Sequence, residues 1–215
     1  MTDSLHLELR IIRQPDGSSL FTQRDTTVMV GVYGPAEVRM AREMADRATV
    51  EVSYKPKIKQ GGCEERFREK MIMSAFDGVI LSEVHPRTGI NIVLQEIQDS
   101  GSLLSCSINA VCCSLLDACV PMRSTVAAVT CAVGSDRQII VSPVKAEEEK
   151  AVALVTVAFE STDGSIVALS SSGAITESQL QDCIAACRHT SGTIFELYKD
   201  KMKEIHLRNS GPARS

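Results

Sequence analysis

One stretch limits the fold more than any other. Over residues 102–119 apolar side chains cover nearly the whole circumference of a helix, which marks it as buried on several sides, and Pro121 ends it. Its surroundings read mainly as strands. Leu5, Leu7, Leu9 and Ile11 alternate with polar neighbours, and Pro15-Asp16-Gly17-Ser18 makes a turn. Residues 26–33 are β-rich and predict a strand that stops at Gly34-Pro35. Further strands are expected over 49–55, 90–97, 126–133, 139–141, 152–159 and 166–169. In 64–81 the period changes: Phe67, Met71, Ala75, Phe76, Val79 and Ile80 recur at helical spacing and predict one stripe. The last helix opens on Thr176-Glu177-Ser178-Gln179, a capping-box pattern, and its stripe runs Leu180, Cys183, Ile184, Cys187, Ile194, Leu197 and Ile205. The polar end, 208–215, reads as a disordered tail. Residues 1–207 then form one mixed α/β domain, with no internal linker and no short-period repeat.

Composition sets outer bounds. With 215 residues, 44% apolar and 23% charged, the chain has the balance of a soluble globular protein and ample length for a core. Lys and Arg total 23 against 27 Asp and Glu, a net charge of −4, so bulk charge cannot carry nucleic-acid binding and any such contact must be a local patch. No apolar run approaches the roughly 18 residues that span a bilayer. The first residues lack the basic start and apolar core of a signal peptide, so an intracellular protein without membrane contact is expected. Eight cysteines include no CxxC pair, and four histidines show no repeated ligand spacing. Reduced, mostly buried thiols are expected, with no metal and no cofactor.

Walker, HExxH, GxSxG and GxGxxG motifs are missing. Asp99-Ser100-Gly101-Ser102-Leu103-Leu104-Ser105 is a small-residue turn feeding a helix. It is either an anion seat at a helix N-terminus or only a Ser- and Gly-rich turn with an N-cap. Lys55, Lys57, Lys59, Arg66, Arg68 and Lys70 outnumber Glu64, Glu65 and Glu69, which fits a rim for RNA phosphates or a solvated strand-to-helix connection. Arg39, Arg42 and Arg47 alternate with Glu37, Glu43 and Asp46, an ordinary surface or a subunit contact. His85 has no nucleophile or acid beside it in sequence and reads as structural. Glu147-Glu148-Glu149 lies between Lys145 and Lys150 and reads as a solvated face before a metal site.

Several of these segments resemble the ribonuclease-PH family: Gly17-Ser18, the run from Thr26 to Pro35, Asp99-Ser100-Gly101-Ser102, and Asp117-Ala118-Cys119-Val120-Pro121-Met122-Arg123. The resemblance keeps its order from about Leu7 to Tyr198. Tyr33-Gly34-Pro35, His85-Pro86-Arg87-Thr88 and Leu103-Leu104 resemble eukaryotic members. The implied fold is mixed sheets packed with helices, as in the second domain of ribosomal protein S5. The implied role is a ring subunit of the eukaryotic RNA exosome, in the nucleus, nucleolus and cytoplasm, with ring and cap subunits and RNA as partners. Active members grip phosphate and RNA with a Thr-Arg pair that falls here on Ser102 and Leu103. A second arginine falls near Cys63, and two acidic residues six positions apart fall on Glu148 and Leu154. Leu103 offers no charge and Leu154 cannot transfer a proton, so the resemblance implies a degenerate, non-catalytic site. Two other roles stay open: a phosphate-dependent 3′ exoribonuclease using the Ser102 helix start and Glu148, and a free-standing homodimer that binds single-stranded RNA or DNA.

Overall fold

A computed structural model describes residues 4–58, 62–134, 136 and 138–209. In chain order its elements are β1 (Leu5–Leu9), β2 (Gly17–Gln23), β3 (Thr26–Glu37), β4 (Thr49–Lys55), α1 (Cys63–Asp77), β5 (Thr88–Gln98) and α2 (Leu103–Asp117). There follow β6 (Val126–Val133), β7 (Ile139–Val141), α3 (Lys145–Glu148), β8 (Ala153–Glu160), β9 (Ile166–Gly173) and α4 (Glu177–Asn209). The first sheet runs β1-β2-β3-β5-β4, antiparallel except where β4 lies parallel to β5, with α1 as the crossover. The second is antiparallel, in the order β7-β6-β8-β9. Between them lies α2, against β2 and β3 on one side and β6 on the other, while α4 covers β6 and β8 from outside. The mixed α/β class and the several-sided burial of the central helix are both as expected.

The sandwiching explains the composition of two elements. In α2 twelve of fifteen residues are buried, which requires the small and apolar residues it has on nearly every face. All eight residues of β6 are buried because α2 and α4 cover its two faces, so Val-Ala-Ala-Val-Thr-Cys-Ala-Val shows no polar alternation. The short β7 pairs only with Cys131–Val133, leaving the earlier backbone of β6 without a neighbour on that side. Asn109 of α2 fills the gap. Its Oδ1 accepts the Ala128 N–H at 2.7 Å, its Nδ2 donates to the Ala128 carbonyl at 2.9 Å, and the Tyr198 hydroxyl donates to Oδ1 at 3.1 Å. One turn on, Cys112 Sγ accepts the Val126 N–H at 3.3 Å. All eight cysteines are free thiols, and six of them are buried. Burial pushes Cys106 and Cys112 up to about 12, which leaves them protonated and unreactive.

Sequence segments far apart converge on the two ends of α2. At its C-terminal end Asp117 accepts the Ser18 N–H at 3.0 Å and pairs with Arg10 at 3.2 Å. Gly17 lies so close to Ala118 that a Cβ there would strike its backbone nitrogen. At the N-terminal end, Thr26 Oγ1 donates to the Gly101 carbonyl at 2.6 Å and accepts the Ser100 N–H at 3.0 Å. The segments that carry the family resemblance are therefore contact partners.

Several expectations need correction. The strand expected to stop at Gly34-Pro35 continues to Glu37, passing through a cis Gly34-Pro35 bond. Gly17 and Ser18, expected in a turn, open strand β2, which runs on to Gln23 and was hidden because its buried face uses serine. Ser19 Oγ donates to the Ala110 carbonyl at 2.8 Å and meets Ser114 Oγ at 2.8 Å, so small polar residues satisfy one another in the core. Helix α1 ends at Asp77, and Val79 and Ile80 bury themselves in the turn after it. Phe67 is not on the buried stripe: it is 52% exposed, and Glu65, Ile72, Ala75 and Phe76 face inward instead. Helix α4 runs on through Asn209, past the expected end at 207, and 210–215 lie outside the described residues. Its capping box forms as expected, with the Thr176 N–H donating to Gln179 Oε1 at 3.0 Å.

Candidate functional site

The turn before α2 is shaped by backbone geometry. Gly101 has φ +114°, and a Cβ there would meet the Pro143 carbonyl oxygen at 2.5 Å, so only glycine fits. Ser102 follows with φ +54° in the left-handed region. Its hydroxyl does not cap the helix. It donates to the Pro143 carbonyl at 2.9 Å, while Ser102's own N–H points at Glu148 and donates to Oε1 at 2.6 Å. The anion at this helix start is thus a carboxylate from 46 residues further along the chain.

The loop carrying Glu148 is clamped to the turn at several points. The Lys145 N–H donates to the Ser100 carbonyl at 2.7 Å, and Lys145 Nζ donates to Asp99 Oδ2 at 2.7 Å. Asp99 Oδ1 accepts the Gly101 N–H at 3.2 Å. Glu147 accepts the Val144 N–H at 2.9 Å at the start of α3. The triplet Glu147-Glu148-Glu149 is therefore not simply a solvated face, since two of its carboxylates hold backbone donors. Burial pushes the Glu148 carboxyl above its ordinary range. The Ser102 N–H opposes that shift, Asp99 adds to it, and Lys145 and Arg68 oppose it.

The other positions that the resemblance assigns to the site lie on three different elements. Leu103 is 7% exposed and belongs to the core, where an arginine in its place would face apolar neighbours and not solvent. Leu154 is half-buried in β8, paired with Ala132 and Ser172. Cys63 is exposed at the first position of α1. Among the described residues no group of three or more His, Cys, Asp or Glu is placed to hold a metal.

The basic segment divides in two. Lys55 and Lys57 are exposed at and just after the end of β4, and Lys59 lies outside the described residues. Arg68 turns inward: its guanidinium stacks over Tyr54 at 5.5 Å and pairs with Glu64 at 3.8 Å. Tyr54 is itself fixed, its N–H donating to Glu69 and its hydroxyl to Glu96, each at 2.8 Å. Arg66 and Lys70, by contrast, are exposed on the outer side of α1 with no ion pair among the described residues. In sequence these cations form one set, whereas the turn of the helix sorts them into a structural arginine and two open ones.

Two sheets sharing a buried helix, with a helix start that faces a carboxylate-bearing loop, define a ribonuclease-PH-like fold. The 3′ exoribonuclease family matches in two consecutive parts, its domain 1 over residues 4–121 and its domain 2 over 124–187. The chain belongs to this family. It is 34% identical to the exosome complex exonuclease RRP46 homolog of Arabidopsis thaliana, over 83% of this chain and 75% of that one. It is 29% identical to the exosome complex component Rrp41 of Archaeoglobus fulgidus, over 94% of this chain and 83% of that one. The crystal structure of rice Rrp46 superposes with a TM-score of 0.88 at 27% identity, covering 94% of this chain and 96% of that one.

Proposed function

We propose that the chain is a non-catalytic ring subunit of the RNA exosome. It would pair with other ribonuclease-PH-like ring subunits and cap subunits, and help shape the channel that leads RNA to a separate nuclease. The observation that carries this reading is the closed start of α2. Glu148 takes up the Ser102 N–H, the donor that an anion at this helix start would use, and the neighbouring position expected to supply a guanidinium is the buried Leu103. An interface and a channel wall outlast the loss of such a site, because neither needs its chemistry. The names of the relatives, exosome components from a plant and an archaeon, support the assembly. Exosome work would place the chain in the nucleus, nucleolus and cytoplasm.

A second reading draws on the plant relative's name, which calls it an exonuclease. On that reading the chain degrades RNA with inorganic phosphate, using the Ser102 helix start and Glu148. Incubation of the pure protein with single-stranded RNA and phosphate separates the two. The scaffold reading expects no nucleoside diphosphate. Diphosphate release that disappears in Glu148→Gln would establish the enzyme instead.

A further inference from the structure

We propose that Phe67 is a platform on which a base of single-stranded RNA stacks, with Arg66 and Lys70 beside it to hold the flanking phosphates. This rests on the reading of the chain as a wall of an RNA channel, and adds to it the residue that would contact a base. Three observations converge. Phe67 is an aromatic ring left 52% exposed on a helix whose opposite face is fully supplied with core residues, including the smaller Ile72 and the fully buried Phe76. It lies between Arg66 at i−1 and Lys70 at i+3, both exposed and without an ion pair among the described residues. Three acids of the same helix are drawn elsewhere, Glu65 to the Gly62 N–H, Glu69 to the Tyr54 N–H and Glu64 to Arg68, and the fourth, Asp77, is the last residue of the helix, two turns beyond Lys70. The outer face around Phe67 is cationic on a protein whose net charge is −4.

The neighbours of Phe67 argue for a nucleic acid over a protein partner. Along its stripe, at i−4, i+3 and i+7, stand Cys63, Lys70 and Ser74, while Met71 at i+4 is turned onto the core. A helix that docks into a protein groove would repeat apolar anchors at those positions. A lone ring flanked by cations is instead the arrangement that grips a single strand, because every base offers a face to stack on while the phosphates meet the charges. Such a contact tolerates any sequence, as a channel requires.

Rings reconstituted with the full-length chain, titrated with a fluorescent 20-nucleotide single-stranded RNA across a salt series, test the proposal. Phe67→Leu, which keeps apolar bulk and removes the aromatic face, should weaken binding about tenfold with the salt slope unchanged. Phe67→Trp should restore it. An abasic oligomer of the same length should bind wild type and Phe67→Leu alike. Arg66→Glu with Lys70→Glu should lower both the affinity and the slope. If the charge reversals act and Phe67→Leu does not, the channel reading stands and the platform is wrong. If neither acts, the RNA path lies elsewhere and both readings fall. If Phe67→Leu stops the subunit from entering the ring, Phe67 is a protein contact and the proposal is overturned.

Discussion

The start of α2 and the outer face of α1 hold the same kinds of chemical group and treat them in opposite ways. At the start of α2 the turn's donors and charges have partners within the chain: Ser102 N–H with Glu148, Asp99 with Lys145, Gly101 N–H with Asp99. On α1 two cations and an aromatic ring face outward with none among the described residues. A site whose charges are matched internally has little field left for a ligand. One with unmatched charge keeps its field and loses no internal bond when a ligand arrives. The seat expected for phosphate from the family resemblance is therefore the poorer place to seek RNA contact in this chain.

The largest break in that contrast should come from trying to restore the phosphate grip. Leu103→Arg buries an unpaired cation in the core, and should lower stability by about 3 kcal/mol, read by urea unfolding, without creating phosphorolysis. A gain of activity at unchanged stability would show that the α2 start is open. Next in size is the double reversal Arg66→Glu with Lys70→Glu. Binding of single-stranded RNA by assembled rings should fall about tenfold, and the salt slope by about 1.4 if two phosphate contacts go. An unchanged slope would show that these cations do not meet phosphates.

Smaller effects sharpen the closed side. Glu148→Ala leaves the Ser102 N–H without its acceptor and should cost about 1 kcal/mol in thermal or urea unfolding. Glu148→Gln keeps an acceptor oxygen and removes the charge, so it should cost less than the alanine variant. It should also alter the pH dependence. Because burial raises the Glu148 pKa in the folded protein, its stabilising contribution is full below the ordinary carboxylate range and is lost as pH rises through the raised value. Wild type should therefore lose stability relative to Glu148→Gln as pH rises through that window, and a difference that is flat with pH would show Glu148 to be solvated. The smallest change is expected of Lys145→Met. Its ion pair with Asp99 is 54% exposed on the lysine side and should contribute less than about 1 kcal/mol, diminishing with salt.

Residue order alone disclosed a good deal of this molecule. The all-round apolar pattern of 102–119 required a helix with neighbours on several sides, and the sandwich between two sheets supplies them. The capping box at Thr176 worked as written, because its two partners are three residues apart and need nothing else in the fold. That residue 103 offers no charge was equally plain, since no packing can give leucine a guanidinium. What the chain order could not disclose depends on partners distant in sequence. Strand β2 escaped notice because its serines look like surface residues until Ala110 and Ser114 are brought against them. Glu148 read as one acid in a solvated run until the fold carried it across 46 residues to the Ser102 N–H. Phe67 shares the helical period of the buried residues, and only the docking of α1 on β4 and β9 decides which side of the helix faces in. Sequence thus determined most of the helices and strands and which residue types stand at each position, because local periods and residue chemistry are carried by the chain itself. The tertiary structure alone decided which charges are matched and which face outward, because electrostatic pairing and burial depend on distances in space.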